Sequence, residues 1–183
     1  MTTAEELDLN GDIYVLVGVD EPKVRIKVSS ALLSIASPYF RTLFGTQFKE
    51  ASDIASNKDV KIEEEDKESF KLLCKILHMQ RQPDNTPNSD ELLALAILVD
   101  KYDCINAMAL AARGLFPESL QSQVWADIVK FAIASYLLDQ PRLFKLLTEI
   151  IINEYNWPVA KFAMLENARG VPMIAWSMLP LAA

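Results

Sequence analysis

The side chains here whose types suit chemistry are His78, Cys74, Cys104 and the carboxylate run Glu63-Glu64-Glu65-Asp66. An imidazole beside a carboxylate or a thiol can move protons or activate a nucleophile, and thiols with an imidazole can begin a metal site. The spacing provides neither. His78 is the single histidine, it has no serine or cysteine nucleophile motif beside it, and two thiols with one imidazole are too few for a structural zinc site. It stands at the end of an apolar helical pattern, where an imidazole is expected to pack and bond a late helix carbonyl. The four acidic residues read as a solvated strand-to-helix connection whose charge favours the helix start that follows. Cys74 and Cys104 fall within apolar helical patterns and read as buried, reduced thiols that behave as small hydrophobes. None of the five glycines stands in a G-x-G-x-x-G pattern or before Lys-Ser/Thr, so no phosphate cradle is expected. The expectation is a non-catalytic protein with no metal and no cofactor.

Charge and composition narrow the partners. A net charge of −7 over 183 residues and a pI near 4.8 leave no broad basic face to neutralise phosphates, so direct nucleic-acid binding is not expected. Hydrophobic residues make up 51% of the chain and mean hydropathy is +0.12. That balance implies a dense helical core or apolar surface covered by a partner. The opening MTTAEELDLNGD is acidic and has no apolar stretch, unlike a secretory signal or an arginine-rich transit peptide. The run VPMIAWSMLPLAA holds two prolines and is too short and broken to span a bilayer. An intracellular protein with no membrane contact is expected.

The elements that position these residues follow from periodicity. DIYVLVG (12–18) reads as a strand buried on both faces, VDEP as a turn, and residues 23–28 as a half-buried strand with Lys23, Arg25 and Lys27 opposite Val24, Ile26 and Val28. A β-hairpin results. Leu32, Leu33 and Ile35 belong to a short helix, and Ser37-Pro38 restarts a second one with Phe40, Leu43 and Phe44 on one face. Residues 45–57 read as a polar loop and 59–63 as a third short strand. Asp66 is placed to cap a helix carrying Phe70, Leu73, Ile76 and Leu77, which RQPDNTPNSD ends, leaving residues 81–88 as an exposed connection. Helices are then expected over 90–101, about 104–115, about 122–138 and about 141–155, with a weaker one after Pro158. Trp125, Phe131, Tyr136, Phe144 and Leu147 read as the core of this last part. Strands early and helices late give the α+β class.

DIYVLVG, IKVSSALLSIASPYFRTLF, FKE, FKLLCKILH and ELLALAILVDKYDC, in this order and spacing, resemble the BTB/POZ domain family, particularly its fungal branch. The segments Ser37-Pro38-Tyr39-Phe40-Arg41 and Lys101-Tyr102-Asp103-Cys104 carry most of the resemblance. It implies a small three-stranded sheet capping a helical cluster, a BTB/POZ domain over 10–116, and an all-α extension over 117–183, the boundary falling near Phe116-Pro117. Ser29-Ser30 stands where many animal members have a His-Lys pair, as in fungal sequences, which argues against animal-type corepressor binding. The family implies a protein-interaction module: an adaptor recruiting substrates to a cullin-type E3 ubiquitin ligase, or else a self-associating scaffold or transcriptional co-factor without cullin binding. Cytoplasmic or nuclear localisation follows. Phe48-Lys49-Glu50 resembles the hydrophobic-x-Glu motif that engages a cullin, making Phe48 and Glu50 the candidate partner-binding residues. In the other reading Phe48 packs under the loop and Glu50 is solvated.

Oligomeric state rests on the first eleven residues and the last thirteen. Family dimers exchange a helix and strand that precede the hairpin. Thr3 and Glu6 have capping-box spacing, so Met1 to Gly11 are expected to give at most about two helical turns and no spare strand. The apolar residues Val171 to Ala183, among them Met173, Ile174, Trp176, Met178 and Leu179, are expected to fold back in cis. The expectation is a monomer or weak homodimer.

Overall fold

The structure, a computed structural model, describes residues 3–50, 59–62, 64–80, 86–120 and 124–155, with the side chains of residues 3, 46–50, 154 and 155 outside that description. The hairpin forms as its patterning requires. Strand β2 (Ile13–Val17) pairs antiparallel with β3 (Val24–Val28), Val15 opposite Ile26. Val24, Ile26 and Val28 are buried while Arg25 and Lys27 are only half-covered. Gly18 turns the chain at φ +129°, which favours glycine. Contrary to expectation, β2 is not fully buried on both faces: Val15 and Val17 are, but Tyr14 and Leu16 are only partly covered. Their face carries the Arg25 guanidinium over the Tyr14 ring, 3.7 Å from its centroid.

The sheet has four strands in the order β1-β3-β2-β4. Strand β4 (Val60–Ile62) runs parallel to β2. The additional strand, β1 (Thr3–Glu6), runs parallel to β3 where the sequence suggested a helical start. Tertiary contacts override the capping-box spacing. Strand β3 offers a free row of backbone partners, Glu5 meets Lys71 at 2.5 Å, and Leu7 is buried with its carbonyl held by the Gln80 side chain.

Helix α1 (Ser30–Ala36) and helix α2 (Pro38–Glu50) form the expected pair after β3. Ser29 caps α1 by accepting from the Leu32 N–H, and the Ser37 hydroxyl accepts from the Phe40 N–H at 3.1 Å, with Pro38 as the first residue of α2. Helix α2 continues to Glu50, so residues 45–50 are helical rather than a loop. A single Gly45 costs about 1 kcal/mol in a helix and does not end it, and Gln47, Lys49 and Glu50 are good helix formers. Residues 51–58 lie outside the described residues.

Helix α3 (Lys67–Leu77) is capped by Asp66, whose carboxylate accepts from the Ser69 N–H and hydroxyl, both at 2.8 Å. Helix α4 (Ser89–Lys101) begins in a capping box between Asn88 and Glu91. Helix α5 (Ile105–Ala112) ends in a 3₁₀ turn, Arg113–Leu115. Helices α6 (Trp125–Leu137) and α7 (Pro141–Tyr155) follow. Helices α3, α4 and α6 end alike, with Met79, Asp103 and Asp139 at positive φ and the next N–H returning to Lys75, Val99 and Ser135 carbonyls. This Schellman closure turns the chain sharply without glycine. Helix α6 packs on α4 and α7 on α6. The core runs without a break from Ile26, Phe40 and Phe70 through Leu92 and Leu95 to Ile128 and Leu147. Phe131 is buried there, and Trp125 and Tyr136 pack against it. Phe144 lies against Tyr136, ring centroids 5.7 Å apart.

Candidate interaction surface

The segments Ser37–Arg41 and Lys101–Cys104, distant in sequence, meet. Ser37 donates its hydroxyl hydrogen to the Tyr102 carbonyl at 2.5 Å, tying the start of α2 to the end of α4. The Phe40 and Tyr102 rings stack at 4.9 Å, and Phe70 approaches both edge-on at about 6 Å. The Tyr39 ring lies 5.0 Å from Tyr102 on the outer side. Aromatic pairs in this range add about 0.5–1.5 kcal/mol each beyond area burial. The buried faces of α1 and α2 are thereby fixed to the helical core.

Glu65 completes the junction. The sequence placed it in a solvated acidic run, yet it is 8% exposed and accepts from Lys101 Nζ at 2.5 Å and from the Tyr102 hydroxyl at 2.7 Å. A buried carboxylate is tolerable only when paired in this way. Lys101 is held protonated above the ordinary lysine range by its hydrogen bond to Glu65, and burial pushes the Tyr102 phenol upward, Glu65 reinforcing the shift. Of the other acidic residues, Glu64 is exposed, Asp66 caps α3 as expected, and Glu63 lies outside the described residues.

A second clamp fixes α1 from below. Asp12 accepts from the Ser30 N–H at 2.7 Å and from its hydroxyl at 2.5 Å, satisfying an orphan donor at the helix start. His78 bonds the Cys74 carbonyl through Nδ1 at 2.8 Å, and its Nε2 accepts from the Ser29 N–H at 3.0 Å. Acceptance at Nε2 places the proton on Nδ1. His78 therefore joins the end of α3 to the start of α1, the structural role its position suggested. Cys74 and Cys104 are buried and unpaired with each other. Burial pushes both thiols up, Cys104 to about 11. Among the described residues no group of three His, Cys, Asp or Glu side chains is placed to hold a metal ion.

The cations of β3 are tied down. Arg25 bonds Asp59 at 2.9 Å, which holds its guanidinium protonated, and Lys27 donates to the Leu9 carbonyl at 2.8 Å. The hairpin of helices leaves three large apolar side chains open beside the exposed Arg41 and Thr42: Leu32, Ile35 and Tyr39 are 37%, 77% and 50% exposed. Leu32 and Ile35, three residues apart, share one face of α1. The roles of Glu65 and Asp12 carried no signal in the sequence. Phe48 and Glu50 belong to the last turn of α2, and their side chains lie outside the described residues.

Among the described residues no helix is long and apolar enough to cross a membrane. No curated protein matches the chain. The family model for the BTB/POZ domain matches residues 5–113. That span holds strands β2 to β4 and the second half of β1, both clamps and the Ser37–Tyr102 junction. With more than half its length so matched, the chain belongs to the BTB/POZ domain family, whose domains mediate contacts between proteins.

Proposed function

We propose that the chain is a non-catalytic adaptor that recruits substrates to a cullin-type E3 ubiquitin ligase in the cytoplasm or nucleus. Its BTB/POZ domain docks on the cullin through the α1–α2 hairpin, and residues 117–183 form a helical subdomain beside it. The observation that supports this reading is the apolar outer face at Leu32, Ile35 and Tyr39, on the hairpin that continues to Phe48 and Glu50. Exposed aromatic and aliphatic side chains on a rigid support are the usual anchors of an interface. Titration calorimetry against the cullin N-terminal domains of the same organism tests the proposal. Phe48→Ala should weaken binding by about 2 kcal/mol or more, Glu50→Ala by less, with the fold intact. If the wild type binds none of them, the adaptor reading fails. If Phe48→Ala instead lowers the melting temperature strongly, Phe48 is a core residue.

A second reading, a self-associating scaffold or transcriptional co-factor, has one observation in its favour. Strand β1 precedes the hairpin, where dimeric members of the family carry the element they exchange. Light scattering distinguishes it: a stable dimer with no cullin binding selects the scaffold.

A further inference from the structure

Helix α7 carries more apolar surface than α6 covers. Leu147 and Ile151 are buried, Leu143 and Ile150 pack against the core yet remain half-buried, and Leu146 is 47% exposed. These last three lie at i, i+3 and i+7, a single stripe along one flank. Residues 156–183 follow α7 directly and lie outside the described residues. From Gly170 to Ala183 the sequence has no charged side chain and includes Met173, Ile174, Trp176, Met178 and Leu179. Such a segment gains by burial and has little polar surface to keep it in water.

We propose that residues 171–183 cover the open flank of α7 in cis, seating their apolar side chains on Leu143, Leu146 and Ile150. A 15-residue tether, the length of residues 156–170, spans about 20 Å root-mean-square as a random coil. Helix α7, with 15 residues, is about 22 Å long. The tether therefore matches the length of the flank and gives the segment an effective concentration on the order of millimolar, which a second copy reaches only at comparable protein concentration. The cover removes an apolar patch at the end of the helical part distant in sequence from the α1–α2 surface.

Cross-linking in the full chain tests this. Leu146→Cys combined with Ser177→Cys, treated with a short bis-maleimide, should give an intramolecular product at least fivefold faster than Lys145→Cys with Ser177→Cys, because Lys145 lies off the stripe and is exposed. Cys74 and Cys104 are buried and should not compete. Adding Leu143→Asp should abolish the difference. As a second readout, ending the chain at Gly170 should raise hydrogen exchange along α7 and leave α1 unchanged. Equal rates at positions 145 and 146, a cross-linked dimer as the main product, or α7 exchange unaffected by the truncation would each overturn the proposal.

Discussion

The Ser37 hydroxyl and the Tyr102 carbonyl, 65 residues apart in sequence, are joined by a 2.5 Å hydrogen bond in the core. The same oxygen of Ser37 receives the Phe40 N–H, so one small side chain both starts α2 and fixes it to α4. Ser37→Ala leaves a buried carbonyl and a helix N–H without these partners and should cost about 1–3 kcal/mol. Urea unfolding should show a lower midpoint with an unchanged slope.

Glu65 and Tyr102 should be coupled energetically. Tyr102→Phe removes the hydroxyl that Glu65 accepts from, and Glu65→Ala leaves that hydroxyl buried without its acceptor. Each should destabilise by about 1–3 kcal/mol. The double variant should lose less than the sum, by at least about 0.5 kcal/mol in a double-mutant cycle. Strict additivity would refute the coupling.

His78 should matter to stability and not to any turnover. His78→Ala frees the Ser29 N–H and the Cys74 carbonyl from their bridge, with an expected loss of about 1–3 kcal/mol. A hydrolase or transferase activity that survives purification and disappears in this variant would overturn the non-catalytic reading.

Alkaline pH should weaken the fold through its thiols. Burial raises Cys104 from an ordinary value of 9.0 to about 11. Between those values the unfolded chain releases the proton and the folded chain keeps it, so stability is full below about pH 9 and falls as pH rises toward 11. Tyr102 and Lys101, raised from ordinary values of 10.0 and 10.5, add losses of the same sign from those pH values upward. Melting curves from pH 7 upward should show the decline, and Cys104→Ala should make it shallower above about pH 9 without abolishing it, because the buried Cys74 thiol is raised from the same ordinary value. At neutral pH both cysteines should resist alkylation until the chain unfolds.

On the outer face, Ile35→Asp should change stability by no more than about 0.5–1 kcal/mol, because the side chain is largely exposed, and Tyr39→Ala should cost about 1–2 kcal/mol through its lost ring contacts with Phe40 and Tyr102. Both should weaken partner binding by about 1–2 kcal/mol. Equal affinity for wild type and both variants would move the interface off the α1–α2 hairpin.

Much of the architecture was legible because its signals are local. The alternation at 23–28, the Ser37-Pro38 restart, the Asp66 cap and the apolar spacing of α3, α4, α6 and α7 depend on neighbours within a few residues, and these elements stand where expected. What periodicity could not foretell depends on remote partners. Thr3–Glu6 is a strand because β3 has a free edge and Lys71 meets Glu5. Glu65 is buried because Lys101 and Tyr102 come to it from the end of α4. The length of α2 was misread from polarity, which marks solvent exposure and not the end of a helix. Phe48 and Glu50 were chosen by resemblance to a short motif, and no packing pattern accompanies them in the sequence.

Strand β1 also bears on solubility. Without it, β3 would be the outermost strand, presenting unpaired amides and carbonyls between Val24, Ile26 and Val28, an arrangement prone to edge-to-edge aggregation. Four residues carrying Glu5 and Glu6 replace that edge with a short acidic one. A chain trimmed before Leu7 would keep its helices yet expose a sticky sheet margin, so the opening residues act as a guard against self-templated precipitation.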